Sequence, residues 1–456
     1  AGTVQLPLST LSQFSASRLQ IGDDATGTVT VNAINTSGQS YGSAGLILDS
    51  ATGIVVDGNI TTAGTIAIVG PTTLNVSPTL TAPSGTTFSG NVDGAKVLTM
   101  VGGLTTVSGS LGSGTALAGL DLSGSTGITA TGPVSLDGTA PGASASGLNL
   151  TGLTTVSLTG GGTISGYTTG NGIVVSSGGL SGATISGFTL SGNQRGMLFE
   201  SGSYAGSTVS NNTVSGSTGN GLQLRGATGL SVSNNTLTAN AGNALQLSGA
   251  GAGSTVSNNT ISGSSRGIFV NSGTGYAISD NSVTGAGSSG TQDAGIFVAG
   301  TATGVTLSNN NVSAAFYGLA LNNAAGAIVT GGTVTDTSES GVGFYGIGTL
   351  TATSVTGITV TRTAASAATY GSVLSGVTGL TLEDSTFSQD TAGITVIGDS
   401  TGTSLGNVTI EPATLGVYLA GATNLQFGSS GKGNTIRNAG DTGMLAIGDL
   451  SGTVIR

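Results

Sequence analysis

Along most of the chain a short alternation of apolar and polar residues returns at intervals of about two dozen positions. One unit reads Val-Ser-Asn-Asn-Thr-Val at 209–214, and returns with a different last aliphatic residue at 232–237 and 256–261. Looser copies stand at 185–190, 278–283 and 307–312, and weaker ones at 329–334, 355–360, 382–387 and 405–410. Between them lies a second unit, a glycine followed by an alternating run: Gly172-Ile-Val-Val, Gly196-Met-Leu-Phe, Gly221-Leu-Gln-Leu, Gly267-Ile-Phe-Val, Gly295-Ile-Phe-Val, Gly318-Leu-Ala-Leu, Gly393-Ile-Thr-Val and Gly416-Val-Tyr-Leu. Short runs of period two separated by Gly, Asn and Ser predict strands and tight turns. A fixed period of this length predicts a solenoid. Each period holds two or three strands, and equivalent strands of successive coils should stack in parallel about 4.8 Å apart.

The residue choices follow from that geometry. Alternate side chains of each strand point into a narrow interior that admits Val, Ile, Leu and Phe. Gly and Asn tolerate the backbone of the turns. Stacked Asn side chains can bond from coil to coil, so Asn212, Asn235, Asn259, Asn281 and Asn310 are expected to form a ladder, with Asn211, Asn234, Asn258 and Asn309 in the adjacent row. The insertion at 285–293 should leave the coil as a loop. The first 150 residues differ: their runs, such as Gly27-Thr-Val-Thr-Val and Gly64-Thr-Ile-Ala-Ile, are more closely spaced and lack the Asn pair. The expected organisation is 1–150 and 151–456, continuous, with a change of cross-section between them. At about 23 residues per coil the chain would hold roughly 19–20 coils, a rod on the order of 90–100 Å.

Composition sharpens this picture. Of 456 residues 84 are Gly, only 6% are charged, and Cys, His and Trp are absent. So much Gly and Ser is compatible with disorder, but the recurring β-branched runs are not. A net charge of −10 excludes the basic stripe that nucleic acid requires and disfavours anionic lipid. No apolar stretch approaches the roughly 20 residues of a membrane span. Lack of Cys fits export through an oxidising envelope. The chain opens at Ala1 without Met and closes on a strand-like 451–456, as does 4–8 at the start, so a segment of a longer precursor with covered ends is expected.

Two resemblances bear on function. Leu19-Gln-Ile-Gly-Asp-Asp-Ala-Thr-Gly27 and Asn59-Ile-Thr-Thr-Ala-Gly-Thr-Ile66 resemble filamentous haemagglutinin-type adhesins of Gram-negative bacteria. The Asn-Asn-Thr-Val coils resemble the right-handed parallel β-helix repeat superfamily, which includes adhesin passengers, phage tailspikes, pectin-degrading enzymes and alginate epimerases. The resemblance implies an all-β protein, a single right-handed parallel β-helix, on the outside of a bacterium. One solenoid hosts many activities, so function must come from the site.

Enzymes of this architecture need clustered ionisable groups, and the sequence offers few. Without His there is no Ser-His pair. Lys96 and Lys432 are far apart. Arg195 and Arg266 each precede a Gly-led strand and could form a weak anion- or sugar-binding strip, whereas Arg225 follows its strand. Asp23-Asp24, Glu383-Asp384 with Asp390, and Asp441 with Asp449 are the acidic groupings, read as turn or surface residues. No calcium-repeat pattern occurs, so no catalytic residue, metal or cofactor is expected. Tyr41, Tyr167, Tyr204, Tyr276 and Tyr317 could stack on sugars if exposed, while Phe199, Phe269, Phe297 and Phe316 read as core or edge filling. Sequons such as Asn35-Thr-Ser and Asn211-Asn-Thr are expected by chance in so Asn-rich a chain. The expectation is a non-catalytic, secreted or cell-surface adhesin or structural fibre, self-associating head to tail or meeting a surface glycan, a host or a neighbouring cell. The alternatives are a polysaccharide-modifying lyase, epimerase or hydrolase, and a phage fibre.

Overall fold

The computed structural model describes residues 15–39, 41–285, 294–300, 302–335, 337, 341–362, 369–388, 390–412, 414–429 and 431–456. The 4–8 strand and, beyond Gly285, the 285–293 loop lie outside these residues, and so does the side chain of Tyr41. The described residues form strands and turns without a helix, an all-β parallel solenoid of about 17 turns. This is fewer than a uniform 23-residue repeat gives, because coils are unequal. Leu46 pairs with Ile66, but Ile128 pairs with Val156 and Ile278 with Leu307. The chain forms two compact units, Ala1–Thr218 and Gly219–Arg456.

In the first unit, Tyr41–Asp49 pairs in parallel with Ala16–Ile21 on one side and Thr65–Val69 on the other, and the stack continues through Thr86–Phe88 and Val97–Val107. Thr65–Val69 alternates half-buried and buried positions, with Ile66 and Ile68 inward, as the period-two pattern requires. Val29–Val31, Ile54–Val56, Thr72–Leu74 and Val92–Asp93 form a second, four-stranded parallel sheet. Beyond it Leu111 bridges to both Val92 and Val134. From Leu136–Asp137 a different sheet begins, continuing through Gly162–Ser165, Phe188–Ser191 and Thr213–Ser215. The passage from one sheet to the other therefore lies within this unit.

In the second unit a coil is a long strand followed by two short ones, as in Arg266–Thr274, Ala277–Ser279 and Ser282–Thr284. Each short strand turns its middle residue inward: Val256, Ile261, Ile278 and Val283 are fully buried. The glycine that opens each long strand has a steric cause. A Cβ built on Gly295 would lie 2.2 Å from Cγ1 of Val312, and one on Gly318 would lie 2.2 Å from Cγ1 of Val334. The inward residue of the third strand fills that space, so the repeat keeps it empty of side chain.

At the corner between the two short strands the amides stack. Asn235 donates from its backbone N and from Nδ2 to Oδ1 of Asn259, at 2.9 and 3.0 Å. Asn259 does the same to Asn281, and Asn281 to Asn310, at 2.9–3.1 Å. The second proton of each Nδ2 goes to a backbone carbonyl, Val232, Val256 or Ile278. In the first unit Asn212 accepts from the N–H of Phe188 and donates to the carbonyl of Ile185. The preceding residues Asn211, Asn234, Asn258 and Asn309 take φ of +50 to +56°, a conformation Asn tolerates better than most residues.

Candidate functional site

The long strands of the second unit place one outward residue per coil in a continuous row. In-register pairs run from Gln223 to Gln246, Phe269, Phe297, Ala320, Tyr345, Val373, Thr395, Tyr418 and Leu445. Flanking inward residues such as Ile268 and Val270 are fully buried, which fixes the rings between them on the outside. Phe269 and Phe297 stack with centroids 5.4 Å apart. Tyr317, at the start of its strand, stacks on Tyr345 at 4.7 Å and meets Phe316 edge-on at 4.8 Å. All of these rings are half-buried.

Polar groups border the rings. The Arg266 guanidinium lies 4.7 Å from the Phe269 centroid and 5.5 Å from that of Phe297, within cation–π range. One coil away Asn220 and Gln223 both donate to Oε1 of Gln246, and Oδ1 of Asn220 accepts from Asn243. Ser248, Asn271 and Asn322 continue the polar edge, in register with Arg225. Among the described residues these outward rows carry Arg225 and Arg266 but no carboxylate, in a chain with 19 acidic residues. Burial and the neighbouring Tyr345 push the Tyr317 phenol up, so it stays a neutral donor.

The other expected site residues are placed as follows. Arg195 opens a long strand of the first unit, paired with Asn171, and its Nη1 reaches Oε1 of Gln194 at 3.4 Å. Tyr167, Tyr204 and Tyr276 are core residues, and burial pushes the Tyr276 phenol up to about 12. Of the phenylalanines read as core or edge filling, Phe199 is buried, but Phe269 and Phe297 belong to the outward row. The alternation already contained that signal, since Ile268 and Val270 can only be inward together if Phe269 is outward. Tyr345 was missed because placing it needs the register of unequal coils, whereas Tyr418 stood in the aligned Gly416-Val-Tyr-Leu unit and its outward position went unread.

The acidic groupings separate. Asp23 accepts from Thr26 and the N–H of Ala25, contacts that hold its carboxyl below the usual range. Glu383 pairs with Lys432 and Glu411 with Arg437, while Asp384 accepts from Asn407 at 2.7 Å. Asp390 is fully buried, and neither carboxylate oxygen has a hydrogen-bond partner among the described residues. Burial raises it to about 7 against the pull of nearby Arg362, itself buried. No group of three or more potential metal ligands occurs among the described residues, and none of their helices could cross a membrane.

Comparison with known proteins identifies the architecture. Residues 161–312 match the family model of a right-handed β-helix region. No curated protein matches the chain. Among solved structures, a similar one is the catalytic domain of a GH87 α-1,3-glucanase (D1069A) in complex with tetrasaccharides, with a TM-score of 0.41 and 13% identity. The match covers 73% of this chain and 64% of that one, so the β-helix spans somewhat less than two thirds of that domain's length. The expectation of a non-catalytic protein is withdrawn: the similar structure is an enzyme's catalytic domain, and at 13% identity the likeness concerns the fold alone. The adhesin-type resemblance has no counterpart among these matches.

Proposed function

We propose that the protein is an extracellular, polysaccharide-engaging β-helix in which a glycan chain lies across the outward rings of the second unit. The supporting observation is the in-register stripe Phe269, Phe297, Tyr345 with Tyr317 and Arg266, bordered by the Gln223–Gln246 amides. Sugar rings present apolar C–H faces and a rim of hydroxyls. Half-exposed aromatic faces meet the first, and amides and a guanidinium meet the second. Coils about 4.8 Å apart repeat these groups along the direction a chain polymer would follow. Depletion of carboxylates from these rows removes repulsion toward acidic sugars as well. The polysaccharide alternative of the sequence reading was a lyase, epimerase or hydrolase; this proposal keeps its substrate class and makes catalysis an outcome of the test.

The test is binding to a panel of neutral and acidic polysaccharides by affinity electrophoresis, with the sugars analysed for shortened, unsaturated or epimerised products. Retardation by at least one glycan is expected, and Phe297→Ala or Tyr345→Ala should weaken it about tenfold each, in the range of a buried aromatic anchor. Retardation that neither variant changes would remove the stripe from the function. New products would establish catalysis on the bound chain.

A further inference from the structure

A second outward surface of the same unit has a different chemistry. The third strands turn two residues each outward, on either side of the buried one, exposed at Thr260, Ser282, Thr284, Asn311 and Thr333 and half-buried at the other positions. One row runs Thr236, Thr260, Ser282, Asn311, Thr333, Thr359, Thr386, and the other Thr238, Ser262, Thr284, Ser313, Thr335, Thr361, Ser388. Every pair is in register, with no bulge between them. Neither row holds an ionisable group until Glu411, the next partner of Ser388. Neither holds an aromatic ring.

The side chains are also aligned along the stack. Oγ1 of Thr284 and Oγ of Ser313 lie 3.1 Å apart, Thr333 donates to Oδ1 of Asn311 at 2.7 Å, and Ser388 donates to Oγ1 of Thr361 at 3.0 Å. These bonds run between coils and fix hydroxyl direction. The result is a rigid two-dimensional array, about 4.8 Å from coil to coil and roughly 6.6 Å from row to row along the strand. β-Branched Thr is stiff at χ1, so its methyl and hydroxyl hold fixed places.

Fold stability does not demand this composition. An outward strand position on a soluble protein accommodates Lys, Glu or Arg, and interspersed charge is the usual means of solubility. A glycan would be met by rings, which stand on the long-strand surface instead. What matches a regular, uncharged lattice of hydroxyls and methyls is a ligand that is itself a lattice of hydrogen-bonding oxygens at similar spacing. We propose that the third-strand surface, centred on Thr333 and Thr335, binds ice. Waters held between the Thr ranks would join the crystal face, and the methyl groups would sit in its hollows. This rests on a different surface from the proposed glycan stripe and is tested separately.

The experiment grows ice slowly from a dilute solution of the whole protein and measures its partition between ice and liquid, alongside inhibition of ice recrystallisation. Enrichment in the ice fraction is expected. Thr333→Lys and, separately, Thr260→Lys place a long charged side chain on exposed positions of the array and should lower the partition about tenfold or more. Phe297→Ala, on the other surface, should leave it unchanged. Far-UV circular dichroism and thermal melts of the variants confirm that the coil is intact. Exclusion of the wild-type protein from ice would overturn the proposal. So would equal incorporation of the folded Lys variants, or loss of incorporation in Phe297→Ala alone.

Discussion

The same corner of the coil is built in two ways. In the first unit the strand positions Phe88, Val107, Ala130, Leu158 and Ile185 are equivalent by register. Two residues after the first four stand Gly90, Gly109, Gly132 and Gly160. They stack so closely that a Cβ on any of the last three would lie within 2.2 Å of the carbonyl oxygen one coil below. From Asn211–Asn212 to Asn309–Asn310 the corner instead holds a left-handed Asn, or Asp280, followed by a ladder Asn, and from Asn235 onward the amides bond across coils. One solution removes the side chain so that backbones touch, and the other keeps a side chain and uses all its hydrogen-bonding capacity. The glycine stack is therefore governed by sterics, and the amide ladder by unsatisfied polar groups.

This difference orders the mutational effects. Gly132→Ala should be the most damaging, since its Cβ would sit 1.5 Å from the Gly109 carbonyl oxygen and only backbone could move. A loss of more than about 3 kcal/mol is expected, at or beyond the usual range for overpacking. Denaturant melts read it, and a loss under about 1 kcal/mol would mean that the stack is not closed. Asn259→Ala should cost about 2–3 kcal/mol, because the N–H and Nδ2 of Asn235 and the carbonyl of Val232 each lose a partner in a buried corner. Replacing Asn259 by Gly should be no milder, since neighbouring Asn residues hold the coils at ladder spacing and Gly adds unfolded-state entropy. If Asn259→Gly were as stable as wild type, the two corners would be interchangeable and the distinction would fail.

Much of this was legible before any coordinates. The ladder candidates and the parallel stacking follow from a repeat whose turn residues and inward residues are the same in coil after coil. The corner in the first unit was less so, because glycine marks a turn without saying whether it is needed for its backbone angle or for close approach. The outward stripe was half legible. Phe269 and Phe297 were seen to be in register, but were left as core or edge filling without a direction. Tyr345 stands in a coil whose length differs from its neighbours', so counting residues does not align it. The third-strand hydroxyl rows were present in every Asn-Asn-Thr-Val copy and were read only as strand. Asp390 was grouped with Glu383 and Asp384, which are near it in sequence, but it alone of the three is fully buried.

Asp390 gives the smallest effect at pH 8, and one whose sign turns with pH. The buried ladder amides are uncharged and bonded from coil to coil, whereas this carboxyl is buried with neither oxygen paired among the described residues. Burial raises it to about 7 from an ordinary 3.8, and Arg362 opposes the rise. The folded state then holds the proton more tightly than the unfolded chain. Its stabilising contribution is complete below about pH 4 and is lost as pH climbs to about 7, with little change above. Asp390→Asn removes the charge but leaves a buried amide that also needs partners. The variant should therefore be about 1–2 kcal/mol more stable than wild type at pH 8 and about 2–3 kcal/mol less stable at pH 4, where the native carboxyl is protonated, because about three pKa units are worth about 4 kcal/mol. The reading is the difference between the two proteins across pH, which cancels the other carboxylates. A variant less stable than wild type at pH 8 would mean that the ionised carboxylate and Arg362 form a net favourable pair, so that charge in this corner is held by attraction and not merely endured.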